Sequence, residues 1–219
     1  MEPMEQMKRL INASEPYMGM NGCRIYLIDA PDDNTWTWVK RRALITMYGC
    51  KPFSKVMTDD SECLPGILAV DPPDSDWRHR ILAARHSPIR YIRYSFLFDG
   101  IPSNTAVHFC RHIHAQAYCG SLRNDRQNII DGDAARRDTP INMILDVNAE
   151  ELMVMANKRL CMKSAEKTRE IMQEMCRLAQ EATPELEGLL VPMCEWCGVC
   201  REMHPCGRED WLIRLLKSR

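Results

Sequence analysis

At 219 residues, with 45% hydrophobic and 27% charged residues, the chain can bury a substantial core; its length fits one large domain, 1–190, with a small appendage, 191–219. Lysines and arginines (29) nearly balance aspartates and glutamates (30), and a formal net charge of -1 excludes global attraction to nucleic acid or an anionic membrane. An anion, if bound, must be gripped locally.

The first residues, "MEPMEQMKRLINASEP", are neither a secretory signal nor a span, and no later run approaches the roughly 18 apolar residues of a membrane helix. Eleven cysteines without an export signal fit reduced thiols and a cytoplasmic location. Fifteen methionines read as adaptable core filler.

In chain order, "CRIYLIDA" predicts a short strand between turn signals, and "TWTWVKRRALITMYG" a first helix. "MTDDSECLPGILAVDPPDSDW" reads as an irregular excursion before a helical "RHRILAAR". "IRYIRYSFLFDGIP" is the best strand candidate, with β-branched and aromatic residues in near alternation. A helix over "SNTAVHFCRHIHAQAYC", capped by Ser103 or Asn104, follows, then a loop at "RQNIIDGDAARRDTP". The strongest helix runs from Asn148 to Ala182, with Asn148 as cap and Glu151 three residues on in a variant capping box. Beyond Pro184 the chain becomes cysteine-rich, and "WLIRLLKSR" is an amphipathic tail. No internal repeat is present.

Two features resist a purely structural reading. Residues 108–126, "HFCRHIHAQAYCGSLRNDR", concentrate three histidines, three arginines and two cysteines. On the long helix, Leu152, Met155 and Met162 mark an inward stripe, and Arg159 and Asn148 fall on it. A guanidinium there is either in an internal ion pair, or snorkelling, or aimed into a cleft at an anionic ligand, and spacing does not decide. "SLRNDR" and "ARRDTP" add arginines beside turn residues, where the planar fork can take a phosphate in two bonds. A small phosphorylated molecule is the common target.

These residues resemble the flavin-dependent thymidylate synthases. That family carries an Arg-His-Arg triplet, seven residues, then Ser-x-Arg; here Arg111, His112 and Ile113 precede, by seven residues, Ser121 and Arg123. "HSPIRYIRYSFLFDGIP" is similar to the family's His-x-Thr-Pro strand segment, placing His86, Ser87 and Pro88. "ARRDTP" is similar to its Ala-Arg-x-x-x-Pro turn, and "VNAEELMVMANKRL" to a helix that reaches a functional arginine eleven residues after its asparagine. That arginine is Arg159. The similarity spans about 85–190 in one order, whereas residues 1–80 match only vaguely, with Thr46 near the flavin. A full Arg-His-Arg at 78–80 is followed seven residues later by Pro88 and reads as ordinary helix.

The resemblance implies an α+β fold, an antiparallel sheet packed with long helices, assembled as a homotetramer with shared active sites. It implies methylation of dUMP with methylenetetrahydrofolate as carbon donor, reduced FAD as hydride source and NADPH as reductant. Carried over, Arg111, His112, Ile113, His86, Ser87, Asn148 and Asn157 contact FAD. His108, Ser121, Arg123, Arg136 and Arg159 hold the nucleotide, and Arg159 polarises the pyrimidine. Departures lie at Ile113 for arginine, Cys119 for glutamate, His108 for glutamine, and Glu150 and Val154 for basic and polar flavin contacts. They leave open a dCMP methyl- or hydroxymethyltransferase and a nucleotide-binding homologue without turnover.

Cys110 and Cys119 read as helix packing. Cys194, Cys197, Cys200 and Cys206 have Cys-x-x-Cys spacing and could close a structural zinc site; reduced, unliganded thiols and an iron–sulfur cluster are the alternatives.

Overall fold

The computed structural model describes residues 22–47, 69–123 and 135–208. The amino-terminal stretch, most of the Pro- and Asp-rich excursion, part of the "RQNIIDGDAARRDTP" loop and the amphipathic tail lie outside the described residues.

Four strands form one antiparallel sheet in the order β1-β2-β4-β3: β1 (Arg24–Asp29), β2 (Arg93–Pro102), β3 (Ala115–Cys119) and β4 (Pro140–Asn148). In β2, Tyr94, Phe96 and Phe98 alternate onto a fully buried face, opposite Val147, Leu145 and Met143 of β4. Period-2 alternation of aromatic and β-branched residues produces this one-sided burial. Tyr94 is the polar member of the face, and its hydroxyl donates to Thr183 Oγ1 (3.0 Å). That bond removes the penalty for burying an unpaired phenol.

The helices are α1 (Asp33–Met47), α2 (Ser75–Ala83), α3 (Ser103–Cys110), α4 (Ala149–Arg159), α5 (Glu166–Ala182) and α6 (Met193–Cys197). Helix α5 buries Ile171, Met175 and Leu178 alongside Met172, Cys176 and Ala179, a stripe at helical spacing that lies against β1 and α4. The α+β architecture with an antiparallel sheet is as expected from the resemblance.

The structure corrects four sequence expectations. Residues 103–119 are not one helix: α3 stops at Cys110, and Ala115–Cys119 becomes strand β3 by pairing with β4. Neither Ser103 nor Asn104 caps α3 with its side chain; the Ser103 hydroxyl donates to Arg137 O (2.7 Å) and the Asn104 amide to the same oxygen (2.9 Å). The helix from Asn148 is two helices, broken at residues 160–165 so that α5 folds back on α4. Met162 therefore leaves the inward stripe and is 51% exposed. Strand β4 was not anticipated. The beginning of the β2 prediction is instead a short 3-10 helix, Ser87–Tyr91.

Candidate active site

The site is built on the joint between β4 and α4. Asn148 is the last residue of β4 and the N-cap of α4, its Oδ1 accepting from the Glu151 amide (2.9 Å). Such a cap contributes about 1 kcal/mol. A complete capping box would turn the glutamate back to the cap amide. Here the Glu151 carboxylate, only 5% exposed, faces the His112 ring instead, Oε1 lying 3.0 Å from Nδ1.

His112 follows α3 and is itself 9% exposed. Its other nitrogen, Nε2, accepts from Arg159 Nε at 3.0 Å. Arginine has only donors, so Nε2 must offer a lone pair. The ring is therefore neutral with its proton on Nδ1, donated to Glu151. Burial lowers the His112 pKa and the Arg159 charge adds to this, against the raising effect of Glu151. The direction agrees with the tautomer that the bonding requires.

Arg159 lies in the last turn of α4, half-buried, and its Nη2 donates to His108 O (2.7 Å). No carboxylate pairs with it among the described residues. Burial and the nearby Arg111 lower its pKa without approaching neutrality at working pH. The ion-pair reading of the sequence thus gives way to a charged fork held by neutral acceptors. His108 is close by, its Nδ1 at 2.6 Å from Thr168 Oγ1, and burial with Arg159 and Arg111 lowers its pKa.

An open cleft of about 420 Å³ lies beside this network. It is lined by Arg111, His112 and Ile113, by Glu150, Glu151 and Val154 of α4, and by Arg85, Arg90 and His114. Three expected flavin contacts, Arg111, His112 and Ile113, and three of the departures, Ile113, Glu150 and Val154, thus line one cleft. Arg90 forms a hydrogen-bonded ion pair with Glu150, returning a cation where the sequence places an acid. Ile113 is 86% exposed.

A second cleft, about 610 Å³, contains His86, Ser87 and Pro88 with Thr46 of α1 and Trp77, Arg80 and Ile81 of α2. Thr46 and the His-Ser-Pro segment are therefore brought together. Neither of these two clefts is lined by His108, Ser121, Arg123, Arg136, Asn148, Asn157 or Arg159. Ser121 Oγ accepts from the Arg123 amide (3.2 Å) just beyond β3, where Gly120 lets the chain pass close to Asn142; a Cβ there would stand 3.3 Å from Asn142 O. Arg136 is exposed and pairs with Asp138 (3.1 Å). Asn157 is buried and spends its amide internally, accepting from Arg85 Nη2 (3.0 Å) and donating to Val191 O (2.7 Å).

Arg85 was missed as a site residue. It follows α2 in a left-handed conformation (φ 51°), which costs a non-glycine residue roughly 1–2 kcal/mol. The turn stacks its guanidinium over Trp196 (4.1 Å to the ring centroid) and leaves Nε buried without a hydrogen-bond partner.

The cysteine expectations change as well. Cys110 and Cys119 are not packed inside a helix; both are exposed, with sulfurs 3.6 Å apart. Among the described residues no group of cysteines, histidines or acids is arranged to hold a metal. The Cys197 thiol turns back to Met193 O (3.0 Å), while Cys194, Cys200 and Cys206 line a small cavity with Cys161. No described helix is long and apolar enough to cross a membrane.

No protein-family model matches the chain, and no curated protein matches it in sequence. Solved structures do. Two structures of the Helicobacter pylori flavin-dependent thymidylate synthase ThyX, each with FAD and dUMP, superpose with TM-scores of 0.52 at 11% identity. They cover 74% and 75% of this chain and 98% of theirs. The UMP/dUMP methylase PolB from Streptomyces cacaoi, bound with 5-Br dUMP, superposes with a TM-score of 0.50 at 13% identity, over 74% of this chain and 92% of its own. The similarity read from the motifs therefore extends to the backbone: the chain carries the fold of the flavin-dependent thymidylate synthases.

Proposed function

We propose that this chain is a flavin-dependent pyrimidine-nucleotide C5-methyltransferase that converts dUMP to dTMP with methylenetetrahydrofolate and NADPH. The observation that carries the reading is Arg159, a guanidinium held by His112 Nε2 and His108 O with no carboxylate partner among the described residues. An ordinary structural arginine at this depth would be neutralised by an acid. One held by neutral acceptors keeps its charge for a ligand, and preorganised charge stabilises the negative charge developing on a pyrimidine carbonyl during transfer at the ring.

The donor set fits FAD. Arg85, held by Asn157 and Trp196 with its buried Nε unpartnered, and the exposed Arg111 supply cations to one cleft, as a dinucleotide pyrophosphate requires, and His86 and Ser87 present polar groups in the other. When bound, reduced FAD supplies the hydride. The chain's own work is to hold and orient. His112, fixed by Glu151, aims Arg159; Ser121, Arg123 and Arg136 take the nucleotide, the last after exchanging Asp138 for phosphate; Asn157 positions Arg85. His108 stands near the base, Asn148 fixes the start of α4, and the active assembly is a homotetramer.

Two rival readings have specific support. His108 in the family's glutamine position, with Nδ1 engaged by Thr168, favours a changed base preference such as dCMP. Ile113 and Cys119, standing where the family has an arginine and a glutamate, favour a nucleotide-binding homologue without turnover. Tritium release from C5-labelled dUMP and dCMP, with FAD, folate and NADPH present, separates all three. Release from dUMP is expected. Release from dCMP alone would move the reading to that substrate, and flavin-bound protein inert with both would remove the methyltransferase assignment.

A further inference from the structure

We propose that Cys110 and Cys119 are a covalent modification site, two thiols that close to a reversible intramolecular disulfide by exchange with a small-molecule disulfide. Their sulfurs stand 3.6 Å apart, and both residues are exposed. A disulfide needs about 2.05 Å, so closure asks for roughly 1.5 Å of approach, within the reach of small side-chain rotations. The two residues end separate elements, Cys110 the helix α3 and Cys119 the strand β3, and these elements pack against each other. The juxtaposition is therefore set by the fold.

The order of events follows from the two thiols. Partial desolvation, with the adjoining Cys110 thiol, pushes Cys119 up to about 11, so Cys119 is a poor first attacker. The Cys110 thiolate attacks one sulfur of the small disulfide, RSSR; a protein–S–SR bond forms, and RS⁻ leaves with the proton that Cys110 lost. Cys119 then gives up its proton and attacks Cys110 Sγ, expelling the second RS⁻, which takes that proton. Two protein thiols are oxidised, one RSSR is reduced to two RSH, and the step is reversed by excess RSH.

The bond would close a ring over the segment that holds Arg111, His112 and Ile113. Oxidation thereby braces one wall of the 420 Å³ cleft. The inference stands on thiol geometry alone and is independent of the proposed methyl transfer.

The test uses the full chain in buffers of oxidised and reduced glutathione, quenched by alkylation and digested with trypsin. Cleavage after Arg93, Arg111 and Arg123 puts the two cysteines on separate peptides, 94–111 and 112–123. In oxidising buffer these are expected as a linked pair, two hydrogens lighter than their sum, that separates on adding dithiothreitol. Cys110→Ser and Cys119→Ser should each abolish the pair, and Cys206→Ser should leave it intact. Recovery of Cys110 and Cys119 as separate mixed disulfides, as free thiols while Cys206 is oxidised, or linked to other cysteines would overturn the proposal.

Discussion

Two of the chain's three Arg-His pairs open a candidate triplet, and the more complete of the two does not line the 420 Å³ cleft. In α2, Arg78-His79-Arg80 matches the full triplet, yet each side chain is engaged by a carboxylate or a carbonyl, and Arg80 also borders the 610 Å³ cleft. Arg78 pairs with Asp33 and reaches Glu185 (3.8 Å), Arg80 pairs with Asp76 (3.1 Å), and His79 Nδ1 lies 2.8 Å from Glu185 O. After α3, Arg111-His112-Ile113 lacks an arginine but lines a cleft, and its histidine joins a buried carboxylate to a guanidinium that has no acid partner among the described residues. The difference lies in the partners. Charge consumed by a neighbouring carboxylate holds elements together, whereas charge held by neutral acceptors is left for a ligand.

That contrast can be broken most sharply at Arg159. Arg159→Ala should lower tritium release by about 10²–10³-fold, the cost of losing one preorganised charge, while the Tm stays within a few degrees of wild type. A large fall in Tm with turnover intact would make Arg159 structural after all. Next, His112→Ala leaves Glu151 buried without its donor and should cost roughly 1–3 kcal/mol in urea unfolding as well as turnover. Equal stability in the variant would mean that the buried pair contributes nothing. Arg111→Ala should weaken FAD binding about tenfold, roughly 1.4 kcal/mol, with unchanged Tm. Its counterpart, Arg78→Ala, should do the reverse, losing about 1 kcal/mol of stability with FAD affinity untouched; a drop in flavin affinity there would erase the distinction between the segments.

The smallest effect is a pH dependence. His112 has its folded pKa lowered, chiefly by burial, so the unfolded chain binds the proton more readily between the folded value and the ordinary value of about 6.5. Its contribution is fully present above about pH 6.5 and is lost as pH falls through the folded value. His112→Asn should flatten that limb of a stability–pH curve; an unaltered acid limb would assign the effect elsewhere.

The sequence made the site more legible than the path of the chain around it. The cap at Asn148, the inward azimuth of Arg159 and the strand around Phe96 all depend on local periodicity, which a single segment displays. Strand β3 was hidden because Ala115–Cys119 has no strong strand signal of its own and is extended only by pairing with β4. The break at 160–165 was hidden because "LCMKSA" contains neither glycine nor proline; the reversal exists so that both α4 and α5 bury their stripes in one core. Arg85 could not be read as a cleft residue because its placement depends on Trp196 and Asn157, both distant in sequence.

The strand-to-helix joint at Asn148 acts as a protractor for the guanidinium. Asn148 is paired with Arg93 in the sheet while it starts α4, so the ladder sets the rotational phase of the helix. Eleven steps of about 100° complete three turns with roughly 20° to spare, which returns Arg159 to nearly the azimuth of Asn148. Inserting or deleting a single amino acid within α4 would swing the fork away by about a quarter turn. The count of residues along α4, and not the placing of any one loop, is thus what fixes the direction of the fork.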